Sequence, residues 1–218
     1  MILLLDATTN PTAIGLYDYK DLRIKIVESN PENNRKLISL IEKFGNSLKI
    51  GNWKLKINSV GVVCGPGAFT GVRTGIVIAN TISYALKVPL YATDTLTAQV
   101  SPMITNMVSL VSASNSEIYF ARFKMGKMLE KIELVEDINL PNRLNDGDIV
   151  VGDLGEKHCG LIAKQEFANK NSTDRIKTLL DLILGKKINP KGAPSGTIKM
   201  VLPLYIKKPN ITRPRSIS

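Results

Sequence analysis

The chain has 218 residues, 44% of them hydrophobic, with a formal net charge of +10. It is long enough for one large domain or two small ones. Its two cysteines, Cys64 and Cys159, are too few and too far apart for a disulfide scaffold or a ligand cluster, and read as reduced thiols of a cytosolic protein. No stretch reaches the ~18 apolar residues of a membrane span, and the apolar run 2–5 is too short for a secretory leader.

In chain order, residues 1–8 read as a buried strand ending in Asp6, the place where nucleotide-binding folds put a metal-phosphate ligand. Residues 13–17 and 22–27 read as two more strands of a meander around the turn at Asp18. Residues 31–48 read as a helix. Leu37, Leu40, Ile41, Phe44 and Leu48 fall on one face of it at 3/4 spacing, and Pro31 suits its first turn. Residues 51–58 read as a polar loop holding the single tryptophan.

Residues 60–87 organise the rest: an apolar strand, the turn Cys64-Gly65-Pro66-Gly67-Ala68, then a long helix from Phe69. Strand, glycine-rich turn and helix is the layout of a phosphate-cradling loop. However, Phe69 and Thr70 stand where a phosphate-binding lysine is wanted, and Arg73 is the one cation nearby. Within the helix, Gly71, Gly75, Ala79 and Ser83 lie four apart and form a stripe of small residues. Each mid-helix glycine costs about 1 kcal/mol against alanine, so something packs closely there, either the protein's own sheet or a partner helix.

Beyond it, residues 88–93 read as a strand and 95–104 as a short helix. Residues 107–112, 117–124 and 127–135 read as three strands with a turn at Met125-Gly126. Residues 141–144 read as a loop or helical turn, 148–152 as a strand, and 155–167 gives no clear element. Residues 173–184 read as an amphipathic helix, 185–196 as a loop, 201–206 as a last strand, and 209–218 as a frayed tail. The order suggests an α/β protein of two related subdomains, divided near residue 100 into 1–100 and 101–218.

Charge is unevenly placed. From Lys157 onward there are 13 Lys/Arg and 3 Asp/Glu, which accounts for the whole surplus. A basic end is either the footprint of a phosphate-rich partner or a lysine-rich solvated surface. Catalytic players are scarce. His158 is the only histidine and with Cys159 reads as an ordinary surface pair, and neither Thr70 nor Cys64 has a visible base.

Three stretches resemble one family. Met1-Ile-Leu-Leu-Leu-Asp-Ala-Thr-Thr is similar to its opening strand. Gly65-Pro66-Gly67-Ala68-Phe69-Thr70-Gly71-Val72-Arg73-Thr74-Gly75 resembles its G-P-G-S-F-T-G-[LV]-R-x-G signature. Pro203-Leu-Tyr-Ile-Lys resembles its closing P-x-Y-L-R. The family is TsaB, also called YeaZ, the accessory subunit for threonylcarbamoyladenosine synthesis on tRNA. The resemblance implies an actin/Hsp70/sugar-kinase-like α/β fold of two ribonuclease-H-like subdomains, the second reduced. It implies a cytoplasmic, non-catalytic subunit that binds no cofactor or metal itself, although the complex uses ATP. It implies docking with the catalytic subunit TsaD or with a second copy, with the ATPase TsaE joining and tRNA reached through the complex. The facing residues expected on the two helices are Leu37, Leu40, Ile41 and Phe44, and Gly71, Gly75, Ala79 and Ser83. Two departures stand out: Glu32-Asn33-Asn34 replaces an E-H-S-like run, and Ser112-Ala113-Ser114 replaces D-A-R. The competing reading is a small ATP-dependent phosphotransferase using Asp6 and the turn from Gly65 to Gly71.

Overall fold

The computed structural model describes residues 1–101, 103–185 and 200–206. Apart from Gly185, the loop expected over 185–196 lies outside them, as does the tail 209–218.

The strands β1 (Ile2–Asp6), β2 (Thr12–Tyr17) and β3 (Leu22–Val27) form the expected meander, followed by helices α1 (Pro31–Arg35) and α2 (Leu37–Ser47). The single helix read from the sequence is thus broken at Lys36. Asn30 caps α1 by accepting from Asn33 N at 2.8 Å. The tryptophan is not in an open polar loop. Trp53 starts a 3-10 turn, is 5% exposed, donates Nε1–H to Asn46 at 2.9 Å, and lies where a Cβ on Gly45 would fall. Then come β4 (Ser59–Val63), α3 (Phe69–Leu86) and β5 (Leu90–Thr93).

These five strands form one sheet in the order β3-β2-β1-β4-β5, with β1, β4 and β5 parallel and β2 antiparallel to its neighbours. Helices cover both faces, so β1 is apolar without alternation. Leu3 and Leu5 join Val60, Val62, Val72 and Ile76 on the α3 side. Ile2 and Leu4 join Ile176, Leu179 and Ile183 on the other.

The second sheet contains β6 (Asn106–Ser112), β7 (Glu117–Lys124), β8 (Lys127–Met128), β9 (Glu133–Glu136), β10 (Ile149–Asp153) and β11 (Glu166–Asn169). Its order, β11-β10-β6-β7-β8 with β9 also on β7, repeats the first sheet: a meander, then two parallel strands added beside its first strand. The two sheets thus share one strand order, as expected for two related subdomains. The helices of this half are short, namely α4 (Glu156–Cys159) and 3-10 turns, one of them spanning Asp137–Arg143 around Pro141. Residues 127–135 are not one strand but β8 and β9, and the helix expected over 95–104 is only a 3-10 turn at Thr97–Gln99.

The last helix, α5 (Ser172–Leu184), packs on the first sheet, so part of that sheet's cover comes from beyond residue 100. Asn171 and Asp174 close a capping box at its start. Residues 201–206 form no strand. Pro203 has no N–H to give a ladder, and the segment is held by Val201 against the Asn80 amide (2.9 Å twice) and by Leu204 N on Cys64 O (2.9 Å).

Between the sheets, Asp94 accepts from Thr97 N at 2.8 Å, and burial pushes its carboxyl above the usual aspartate value despite that bond. A raised folded-state value means the ionised side chain opposes folding at neutral pH, and that penalty fades as pH falls through the raised value. Asp94→Asn keeps the acceptor. In urea melts it should therefore be more stable than the parent at pH 7, with the difference vanishing below about pH 4.

Candidate functional site

The C-terminal ends of β1, β6 and β10 meet at a cleft of about 670 Å3 between the sheets. Residues 8–10, the start of α3, Ser112, Asp153 and Tyr205 line it. Among the described residues, no lysine or arginine lines it, and Asp153 is its one carboxylate.

Asp6 is fully buried, and both its oxygens are engaged. Oδ1 accepts from Thr8 N (2.9 Å) and Thr8 Oγ1 (2.6 Å), and Oδ2 accepts from Arg175 Nε at 2.6 Å. Arg175 comes from the first turn of α5, on the face that carries Ile176, Leu179 and Ile183, and its side chain is 0% exposed. It donates Nη1–H to Asp153 Oδ2 (3.0 Å) and to Lys170 O (2.9 Å), and Nη2–H to Thr9 Oγ1. One guanidinium therefore joins the end of β1 to the end of β10. Burial alone would lower its pKa, but the Asp6 carboxylate and then Asp153 outweigh that and hold it above the ordinary arginine value.

Ser112 stands at the end of β6 as Asp6 stands at the end of β1. Its Oγ accepts from Gly155 N at 3.1 Å and lies 2.9 Å from His158 Nδ1. His158 is not a surface residue: it is 3% exposed, and its Nε2 has no partner among the described residues. Among the described residues no group of three or more His, Cys, Asp or Glu side chains could hold a metal ion.

The signature turn is architecture. Gly65 has φ +97°, which favours glycine, and Pro66 O accepts from Thr95 Oγ1 at 2.7 Å. A Cβ on Gly67 would fall on Thr8 O, and one on Gly71 would fall on Ala7 O, so the start of α3 lies against the end of β1. The stripe expected to receive a partner helix is turned inward. Gly71, Gly75, Ala79 and Ser83 are all buried, and Ser83 Oγ donates to Val88 O at 2.7 Å. On α2, Leu37 and Ile41 are in the same core, and Leu40 and Phe44 pack on it half-buried. The docking faces read from spacing are thus the faces the helices present to their own sheet, because 3/4 spacing marks the core stripe first. Thr70 is exposed and its carbonyl accepts from Thr74 Oγ1. Arg73 meets its own chain, with its guanidinium carbon 3.6 Å from the Phe69 ring centroid and its Nε donating to Tyr205 OH at 2.5 Å.

The two helical glycines differ in a measurable way. A Cβ at position 75 would sit in ordinary contact with Ala7 Cβ at 3.4 Å. Gly75→Ala should therefore be neutral, or stabilising by up to about 1 kcal/mol. Gly71→Ala collides with backbone and should cost roughly 1–3 kcal/mol, which thermal melts of the pair would resolve.

What remains outward on the helical layer is apolar in places: Ile38 on α2, with Val77 and Tyr84 on α3, is between 58% and 66% exposed. Among the described residues no helix is long and apolar enough to cross a membrane.

The family model described as "TsaD: tRNA N6-adenosine threonylcarbamoyltransferase" matches residues 31–148, more than half of the chain. A Haemophilus influenzae relative named "tRNA threonylcarbamoyladenosine biosynthesis protein TsaB" is 26% identical over 79% of this chain and 77% of its own length. Two solved structures from Pseudomonas aeruginosa, one described as similar to peptidase YeaZ and one as YeaZ, superpose with TM-scores of 0.70 and 0.68. Each is 15% identical and covers 94% of this chain and 99% of its own. The chain belongs to the TsaB/YeaZ family. An uncharacterized Mycobacterium tuberculosis protein is 36% identical, but the match spans only 32% of that protein.

For this TsaB/YeaZ member the sequence reading missed Arg175, Asp153 and Thr9, and placed His158 on the surface although it is buried. Two signals were present. Residues 149–153, Ile-Val-Val-Gly-Asp, repeat the pattern of an apolar strand ending in aspartate seen at residues 2–6. Arg175 also falls one residue before the apolar set of α5, inside its buried arc.

Proposed function

We propose that this chain is a non-catalytic accessory subunit in the synthesis of threonylcarbamoyladenosine on tRNA, docking on the transferase TsaD. The observation that carries the reading is the Arg175–Asp6 pair. In a phosphotransferase the acid at the end of β1 would hold a metal-bound phosphate. Here it is saturated by a permanent cation from its own chain, and among the described residues no basic side chain lines the cleft. The names of the TsaB relatives supply the pathway. On this reading the subunit works in the cytoplasm and holds no cofactor. The complex uses ATP through TsaE, and TsaB acts by holding TsaD in a competent state. The outer face of the helical layer, with Ile38, Val77 and Tyr84, is the docking surface for TsaD or, in its absence, for a second copy. The basic C-terminal half of the sequence supports contact with tRNA in the complex, and on this reading the complex's tRNA affinity should fall steeply with salt.

The test is reconstitution with the organism's own TsaD, TsaE and tRNA, reading the modified nucleoside by mass spectrometry. Product should appear only when this chain is added, and should still appear with Asp153→Asn. Mg-ATP titrated calorimetrically into the isolated chain should give no binding heat. Tight binding that Asp6→Ala abolishes would establish the phosphotransferase instead.

A further inference from the structure

The two halves of the chain have separate cores. Leu3, Val62 and Val72 belong to one apolar cluster on the first sheet, and Ile2, Leu4 and Leu179 to the other. Met107 with Val151, and Leu110 with Val150, belong to two more on the second sheet. Among the described residues no cluster draws strands from both sheets. Apart from the 3-10 turn Thr97–Gln99, which lies on α5, the described elements of the two halves scarcely touch. Units joined by so little apolar surface move relative to one another by default, unless particular bonds fix their angle.

At the floor of the cleft those bonds converge on one atom. Arg175 belongs to the first half, since α5 packs on the first sheet and Nε is spent on Asp6 of β1. What reaches across is the end of β10. Asp153 Oδ2 accepts from Thr9 Oγ1 at 2.7 Å and from Arg175 Nη1 at 3.0 Å, and both donors are first-half side chains. The guanidinium is 0% exposed and also donates to Thr9 and to the Lys170 carbonyl, so Asp6, Thr9 and Lys170 position it without Asp153. Asp153 differs from Asp6 in lying at the cleft surface, 25% exposed.

We propose that Asp153 is the latch of a hinge. It holds the two halves at one cleft angle, and without it they swing about the connections after β5 and before α5, where no ladder stiffens the chain. The guanidinium stays with the first half during that swing. The segment from Val201, in the first core, to Ile206, on the core of the second half, forms no strand; it limits the swing without setting the angle. The device is independent of the TsaD reading, which concerns the outer helical face, and its test needs no partner.

Spin labels carried by Thr70→Cys and Glu156→Cys read the angle as a distance distribution, with Cys64 and Cys159 replaced by alanine. Both label positions are exposed and adjoin cleft residues of opposite halves. The chain with Asp153 intact should give one narrow distribution. Asp153→Ala should lengthen and broaden it. Thr9→Val, which removes one of the two bonds to Oδ2, should do so to a smaller degree, and Asp153→Asn, which keeps an acceptor oxygen, should stay narrow. Hydrogen exchange read by mass spectrometry separates a swing from unfolding. In Asp153→Ala the amides of β1, β4, β6 and β7 should remain as protected as in the parent, while those of the two connections exchange roughly tenfold faster. The proposal is overturned if the distribution is already broad with Asp153 intact, if Asp153→Ala leaves it narrow, if Asp153→Asn broadens it as much as Asp153→Ala, or if β1 and β4 lose protection together with the connections.

Discussion

Arg175→Met should destabilise the protein by about 3–5 kcal/mol, which makes it one of the most damaging single substitutions available in this chain. The change leaves Asp6 buried with no counter-charge and takes a hydrogen bond from Asp153, Thr9 and the Lys170 carbonyl at once. Asp6→Asn should cost a similar amount, because the guanidinium then keeps only Asp153, itself partly solvated at 25% exposure. Urea denaturation is the measurement. The decisive comparison is the double variant Arg175→Met/Asp6→Asn, whose loss should be well short of the sum of the two single losses, since the uncompensated charge disappears with its partner. The pH behaviour follows from sign. A folded-state pKa raised above the ordinary arginine value gives stability that is complete below that ordinary value, and is lost only as pH rises through the raised one. On the arginine side the pair is therefore intact at every pH in ordinary use. If Arg175→Met melts within about 1 kcal/mol of the parent, the guanidinium is not the tie between the sheets, and the argument from a saturated Asp6 fails with it.

The same residue shows where a sequence stops being informative. The first sheet was legible because its strands are short apolar runs bounded by turns, and because β1, covered on both faces, has no polar position to confuse its reading. The second sheet was harder. Its copy of the plan is carried by strand order, with β6, β7, β8, β10 and β11 standing where β1, β2, β3, β4 and β5 stand, and no letters repeat. Pairing between strands this far apart in the chain leaves no local pattern. The stripe from Gly71 to Ser83 was legible as a face but not as a direction. Small residues four apart say that backbone comes close, and here that backbone is the Ala7 carbonyl rather than another protein. Arg175 needed both kinds of information. Helical spacing places it beside Ile176 and Leu179, which by itself marks an anomaly, yet its partners come from β1 and β10, more than a hundred and about twenty residues away.

Val77→Glu with Tyr84→Glu should abolish association with TsaD while leaving the fold where it was. Both side chains are more than 60% exposed on α3, and substitutions at such sites usually move stability by less than about 0.5 kcal/mol. If the outer face of α3 is the docking surface, these are its apolar anchors. Tyrosine is enriched among residues whose loss costs an interface about 2 kcal/mol or more, equivalent to roughly a thirtyfold loss in affinity. Burying two carboxylates in place of them adds a desolvation cost that no rearrangement of long side chains removes. Sedimentation of the pair, with a thermal melt of each variant alone, reads both halves of the statement. Gly75→Leu is the informative contrast. Position 75 faces Ala7 inside the chain, so a leucine there should lower the melting temperature and impair docking only as far as it unfolds the helix. A leucine variant that stays folded and yet fails to bind TsaD would move the interface to the inner stripe. A double glutamate variant that binds as well as the parent would take the docking surface off α3 altogether. The expected pattern, with docking lost at 77 and 84 and stability lost at 75, separates the two faces of one helix into the one that builds the subunit and the one that uses it.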